Sequence, residues 1–193
     1  MINTQELVTN IINEYNKAHG PDGRYISGSR SSGMALIDQS GNARKATVEI
    51  IDPKDLGDII EDQWGGAVFY DNWAVYSEQR RPPIIKAVKT GDGKTHALVA
   101  YKKDSQMISV EHLEASPANR LNKNGDGLKG SGSLALASVC AEVGPKQSII
   151  LDSTKESRGF YEKIGMITGK DKSIHLFTYD QAQAFAKKMG VIK

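Results

Sequence analysis

The sequence predicts a mixed α/β domain, a mostly antiparallel central sheet flanked by helices, with a β-α-β-α unit in its second half. Two observations predict it. Three apolar, β-branched runs follow one another at residues 84–90, 96–103 and 107–116, and Gly91-Asp92-Gly93 joins the first two as a hairpin. A glycine-rich loop then enters a Leu/Ala helix at 133–143, and a strand at 148–154 follows it. A strand, helix, strand crossover requires a parallel pair, so the sheet is mixed.

The other elements follow in order. Residues 4–18 place Leu7, Ile11, Ile12 and Tyr15 on one helical face, with Thr4 as N-cap and Gly20-Pro21 as the stop. Residues 20–45 are rich in Gly and Ser with scattered arginines, which predicts an irregular arm, so residues 1–45 form a helix and arm and residues 46–193 the folded domain. A strand is expected at 45–51, and Asp52-Pro53 supplies the cap and first-turn proline of a helix over 53–64. Aromatic-rich turns from Trp64 to Tyr76 and the Arg80-Arg81-Pro82-Pro83 break precede the strand series. Beyond the crossover come a helix at 155–165, a strand at 174–179 and a terminal helix at 180–190.

Composition narrows the class. At 193 residues and 39% apolar the chain suits one globular domain, and 25 Lys and Arg against 23 Asp and Glu leave +2, with no long block of either sign. That balance neither implies nor excludes nucleic acid. The single Cys140 permits no intramolecular disulfide and reads as a core thiol in a reducing compartment. No basic leader with an apolar block and no membrane-length run is present, so a soluble cytoplasmic protein is expected. Histidines 19, 96, 112 and 175 lack metal-ligand spacing, and no metal is expected.

The loop at 124–136, Asn-Gly-Asp-Gly-Leu-Lys-Gly-Ser-Gly-Ser-Leu-Ala-Leu, carries the chemistry. Small residues running into a helix start leave backbone N–H groups accessible, and the helix dipole favours an anion such as phosphate. Three phosphate-binding patterns compete for it. Gly93-Lys94-Thr95 ends like a P-loop, but Val88 stands where its first glycine belongs. Gly125, Gly127 and Gly130 satisfy GxGxxG with Asp152 on the next strand, yet residues 116–124 do not form the buried strand that this dinucleotide fingerprint must leave directly. The third pattern uses Gly130-Ser131-Gly132 with the helix immediately after.

On that pattern, residues 108–166 resemble the GCN5-related N-acetyltransferase superfamily. Gly130 and Gly132 match the glycines of its Arg/Gln-x-x-Gly-x-Gly/Ala pyrophosphate loop, with Gly127 where Arg or Gln is usual. Ser157-Arg-Gly-Phe160-Tyr161-Glu-Lys-Ile-Gly165-Met166 is similar to its second coenzyme motif, and Tyr161 matches its frequent catalytic tyrosine.

The resemblance implies acetyl transfer from acetyl-CoA, as cosubstrate, to an amine acceptor, small molecule or protein, with a homodimer open. It assigns the pyrophosphate to backbone between Lys129 and Leu134, through Gly130, Ser131, Gly132 and Ser133, with the Lys129 side chain adding charge. The thioester goes to Leu113, Glu114 and Ala115, where fixed N–H groups stabilise a carbonyl gaining charge. Tyr161 is the proton donor to the departing thiolate, Phe160 packs beside it, and Ser157 one turn earlier is a further coenzyme contact.

A lysine-like amine, with a pKa of about 10.4, must lose a proton before it attacks, so a base or water chain is needed. Glu111 is the first candidate; strand alternation puts it on one face with Ser109 and Leu113, and His112 on the other. Asp55, Asp58, Glu61 and Asp62 fit a cationic acceptor or simply an exposed helix face. Two other readings remain: a binding module of the same fold contacting nucleic acid or a protein through Arg24, Arg30, Arg44 and Lys45, and a dinucleotide-dependent oxidoreductase using GxGxxG.

Overall fold

The computed structural model describes residues 34–59, 79–121 and 127–193, together with Trp64 and Tyr76. The expected helix at 4–18, Arg24, Arg30, Glu61, Asp62 and most of the aromatic turns lie outside the described residues.

Among the described residues eight strands form one sheet: β1 (Ala35–Ile37), β2 (Ala43–Ile51), β3 (Ile84–Thr90), β4 (Thr95–Lys103), β5 (Met107–Ala115), β6 (Ser148–Asp152), β7 (Ile167–Thr168) and β8 (Ile174–Phe177). Their spatial order is β1-β2-β3-β4-β5-β6-β8-β7. Every neighbouring pair is antiparallel except β5 and β6, which the crossover makes parallel. The mixed, mostly antiparallel sheet is the one the sequence predicts.

The hairpin between β3 and β4 turns on the predicted glycines. Gly93 has φ 81°, a left-handed conformation that costs glycine little, and its N–H donates to the Thr90 carbonyl at 2.9 Å. The segment read as an irregular arm is corrected from Met34 onward. Ala35–Ile37 and Ala43–Ile51 are strands, and residue 46 lies within β2. The turn between them is closed by Asp38, whose carboxylate accepts from the Asn42 N–H at 2.8 Å. Of the helix expected over 53–64, residues 53–59 are helical, with a 3-10 turn, Pro53–Asp55, capped by the Asp52 side chain and leading into α1, Leu56–Asp58, and residues 60–63 lie outside the described residues.

Two helices cover one face of the sheet. In α3 (Ser131–Cys140) every residue from Leu134 to Cys140 is buried, as expected of a helix apolar on all sides. The terminal α5 (Tyr179–Lys188) starts in a capping box between Thr178 and Gln181 and buries Ala182, Phe185 and Ala186. They pack on Val88, Val99, Tyr101, Ile108 and Val110, and Cys140 sits there as the predicted core thiol. On the opposite face Leu56, Ile59, Trp64 and Tyr76 pack on Ile85, Ala87, Leu98 and Ala100. The Trp64 indole N–H donates to the Thr95 carbonyl at 3.0 Å. Among the described residues no helix is long and apolar enough to cross a membrane.

His175 on β8 is fully buried, its Nε2 2.9 Å from the Ser153 hydroxyl and its Nδ1 3.3 Å from that of Thr168. Burial holds its pKa below the ordinary histidine value. The unfolded chain therefore binds a proton there more readily than the fold does, and stability is lost as pH falls below about 6.5. We expect the melting temperature to drop between pH 7 and pH 5, and a His175→Gln variant to flatten that slope in a thermal-melt pH series.

Candidate active site

The site begins where two strands part. Parallel pairing of β5 with β6 runs from Met107 opposite Ser148 to Val110 opposite Leu151, and β5 continues alone to Ala115. The N–H of Ser116 donates to the His96 carbonyl at 2.9 Å, so the in-register pairs two and four residues back, Glu114 with Leu98 and His112 with Ala100, also turn their backbone groups toward β4. Alternation sends the N–H groups of Leu113 and Ala115 the other way, into the gap that β6 leaves.

Helix α3 packs on β5, and α4 (Arg158–Lys163) lies against the first turn of α3. Gly130 caps α3 with φ 94°, a backbone region disfavoured for any residue with a Cβ, and a Cβ there would meet nothing within 4 Å among the described residues. A Cβ on Gly132 would lie 3.8 Å from the Phe160 ring, which brings α4 against the first turn of α3. The helix starts at Ser131, before the predicted Ser133, and its first-turn N–H groups at Ser131, Gly132 and Ser133 have no partner within the helix. Lys129 and Leu134 drop out as backbone donors. The Lys129 N–H donates to the Ile37 carbonyl at 2.8 Å and the Leu134 N–H to the Gly130 carbonyl at 2.9 Å. The Lys129 side chain is exposed, and Gly127 is buried.

No family model and no curated protein matches the chain. Among solved structures it is similar to a GNAT-family acetyltransferase from Bacillus cereus, at 17% identity over 69% of this chain and 96% of that one, with a TM-score of 0.47. It is similar to the PaiA N-acetyltransferase of Thermoplasma acidophilum in complex with coenzyme A, at 14% identity over 70% and 99% of the two chains and a TM-score of 0.47. A histone acetyltransferase and related acetyltransferase from Corynebacterium glutamicum gives 14% identity, 69% and 96% coverage and the same TM-score of 0.47. These neighbours are acetyltransferases.

Tyr161, expected at the site from its sequence motif, is carried into the core by α4. Its ring is buried, 5.0 Å from His175 and edge-on to Phe160 at 5.1 Å. Burial pushes the phenol pKa up to about 12, so the hydroxyl keeps its proton at neutral pH. Among the described residues that hydroxyl makes no hydrogen bond. The Ser157 hydroxyl donates to the Thr154 carbonyl at 3.2 Å in the turn that starts α4.

The expected split between Glu111 and His112 is corrected by a β-bulge. Ala100 pairs with His112 and Tyr101 with Val110, which leaves Glu111 as the extra residue on β5. Alternation restarts beyond it. His112 and Glu114 now face the same side as Ala100 and Leu98, and Leu113 turns to the helix-covered face. Glu111 joins the first group: its carboxylate meets the Lys102 ammonium at 2.8 Å, and its charge helps raise the pKa of Tyr76 on that face to about 12, after burial. His112 Nε2 stands 3.7 Å from the buried carboxylate of Glu114. Periodicity missed this cluster because no glycine or proline marks the bulge.

The dinucleotide reading fails on its strand, because the helix α2 (Pro117–Leu121) separates β5 from the loop. Of the arm's cations, Arg44 lies 3.4 Å from Asp38 within the β1–β2 hairpin.

Proposed function

We propose that this chain is an N-acetyltransferase that moves the acetyl group of acetyl-CoA to an amine by direct attack on the thioester. The observation that carries it is the parting of β5 from β6 past Val110. It leaves two backbone N–H groups, of Leu113 and Ala115, on an open edge next to a glycine-led helix start.

The donors of Gly130, Ser131, Gly132 and Ser133, at the positive end of α3, bind the diphosphate, and the open space over Gly130 admits it. Lys129 adds charge from the loop's exposed side. Leu113 and Ala115 align the pantetheine arm, whose amides pair with them as an added strand would. Phe160 shields the arm on the α4 side.

The amine nitrogen bonds to the thioester carbon, the C–S bond breaks, and its electron pair leaves on sulfur. Glu111, held on the acceptor face by the bulge, takes the proton that the amine gives up, directly or through water. Tyr161 donates its hydroxyl hydrogen bond to the sulfur as negative charge develops there. Carboxylates at Glu111 and Glu114 and the Tyr76 ring favour a cationic acceptor on that face.

Titration calorimetry of the purified protein with acetyl-CoA tests this reading, followed by a screen of amines for release of free thiol. Binding in the micromolar range and thiol release with one amine class are expected. A folded protein with no heat of binding would end the proposal.

A further inference from the structure

We propose that Asn119 is a positioning residue that sets the coenzyme loop against the sheet, and that it acts through Ser131. This rests on the acetyltransferase reading. Asn119 lies on α2, in a stretch where sequence reasoning expected only a connection.

Its side chain is committed on every side. The Oδ1 atom accepts from the Leu128 N–H at 2.8 Å, and Nδ2 donates to the His96 carbonyl at 3.1 Å and the Ser131 hydroxyl at 3.1 Å. The orientation of the amide follows from these partners, because the Leu128 N–H needs an acceptor and the His96 carbonyl a donor. One side chain thus ties both ends of the described loop, Leu128 before Gly130 and Ser131 after it, to β4.

Ser131 is buried at 3% exposure with its hydroxyl turned to Asn119, so only its backbone faces the anion. Aligned N–H donors are useful to a diphosphate only if they are held before it arrives, and a loop with glycines at 127, 130 and 132 does not hold itself. Across the loop, the pair of hydrogen bonds between Ile37 and Lys129 braces the other side. Asn119 and β1 therefore grip the loop from two strands of the same sheet.

The test is a double-variant cycle on acetyl-CoA affinity, with Asn119→Ala, Ser131→Ala, the combination, and the melting temperature of each. Loss of a satisfied, oriented polar brace is expected to weaken binding about tenfold in Asn119→Ala and about threefold in Ser131→Ala. Because both act through one hydrogen bond, the combined variant should bind no more than about twofold more weakly than Asn119→Ala alone. Unchanged affinity in Asn119→Ala, or losses that multiply in the combination, would overturn the proposal. Should Asn119→Ala fail to fold, Ser131→Ala decides alone, since it removes the same hydrogen bond from the other side, and unchanged affinity in it overturns the proposal. Failure of the wild-type protein to bind acetyl-CoA would instead refute the acetyltransferase reading on which this inference stands.

Discussion

A Gly130→Glu variant is expected to lose acetyl-CoA binding by at least about a hundredfold, while Gly130→Ala loses far less. The two substitutions share one cost. With φ 94°, residue 130 sits where any Cβ is strained, by about 1–3 kcal/mol, so both variants should melt at similarly lowered temperatures. Among the described residues no atom lies within 4 Å of a Cβ added there, so the alanine brings no collision with it. Only the glutamate places an anion over the donors of Ser131, Gly132 and Ser133, where the helix dipole has made room for the diphosphate. Calorimetry on both variants separates the effects. Equal affinities would mean that the loop is merely a strained connection and that the anion site lies elsewhere.

The legible part of this fold was the part written in local rules. The strands from Ile84 to Ala115 could be read because β-branched runs alternate with a glycine turn, and α5 because Ala182, Phe185, Ala186 and Met189 recur at helical spacing. The glycine loop was legible because glycines at 130 and 132 precede an apolar helix. What escaped depends on partners distant in sequence. β1 is three residues long, set among Gly, Ser and Asn, and is a strand because it pairs with β2 and with Lys129. Lys86 is a charged residue within β3, yet it is buried under α3 with its ammonium on Glu142 and on the Ser138 carbonyl. The bulge at Glu111 is a mismatch in count between β4 and β5, which neither strand carries alone. Asn119 has a role only because the loop folds back on it.

The catalytic assignment turns on Tyr161, and a Tyr161→Phe variant is expected to lower kcat by about 10²- to 10³-fold with little change in acetyl-CoA affinity. The substitution is unusually clean here. The ring contacts with His175 and Phe160 survive, and among the described residues no hydrogen-bond partner of the hydroxyl is left stranded, so the melting temperature should barely move. A phenol with a pKa of about 12 is a weaker acid than a thiol near 8.5, so its value lies in a hydrogen bond that strengthens as charge reaches sulfur. That bond exists in the transition state and hardly in the ground state, which is why the loss should fall on kcat rather than on KM. It also fixes the pH behaviour. Because the phenol stays protonated to about pH 12, any basic limb of the rate profile below pH 10 must belong to another group, and the phenylalanine variant should keep the wild-type profile at a lower height. A variant that turns over at the wild-type rate would return Tyr161 to the core as a packing residue and leave the departing sulfur to solvent.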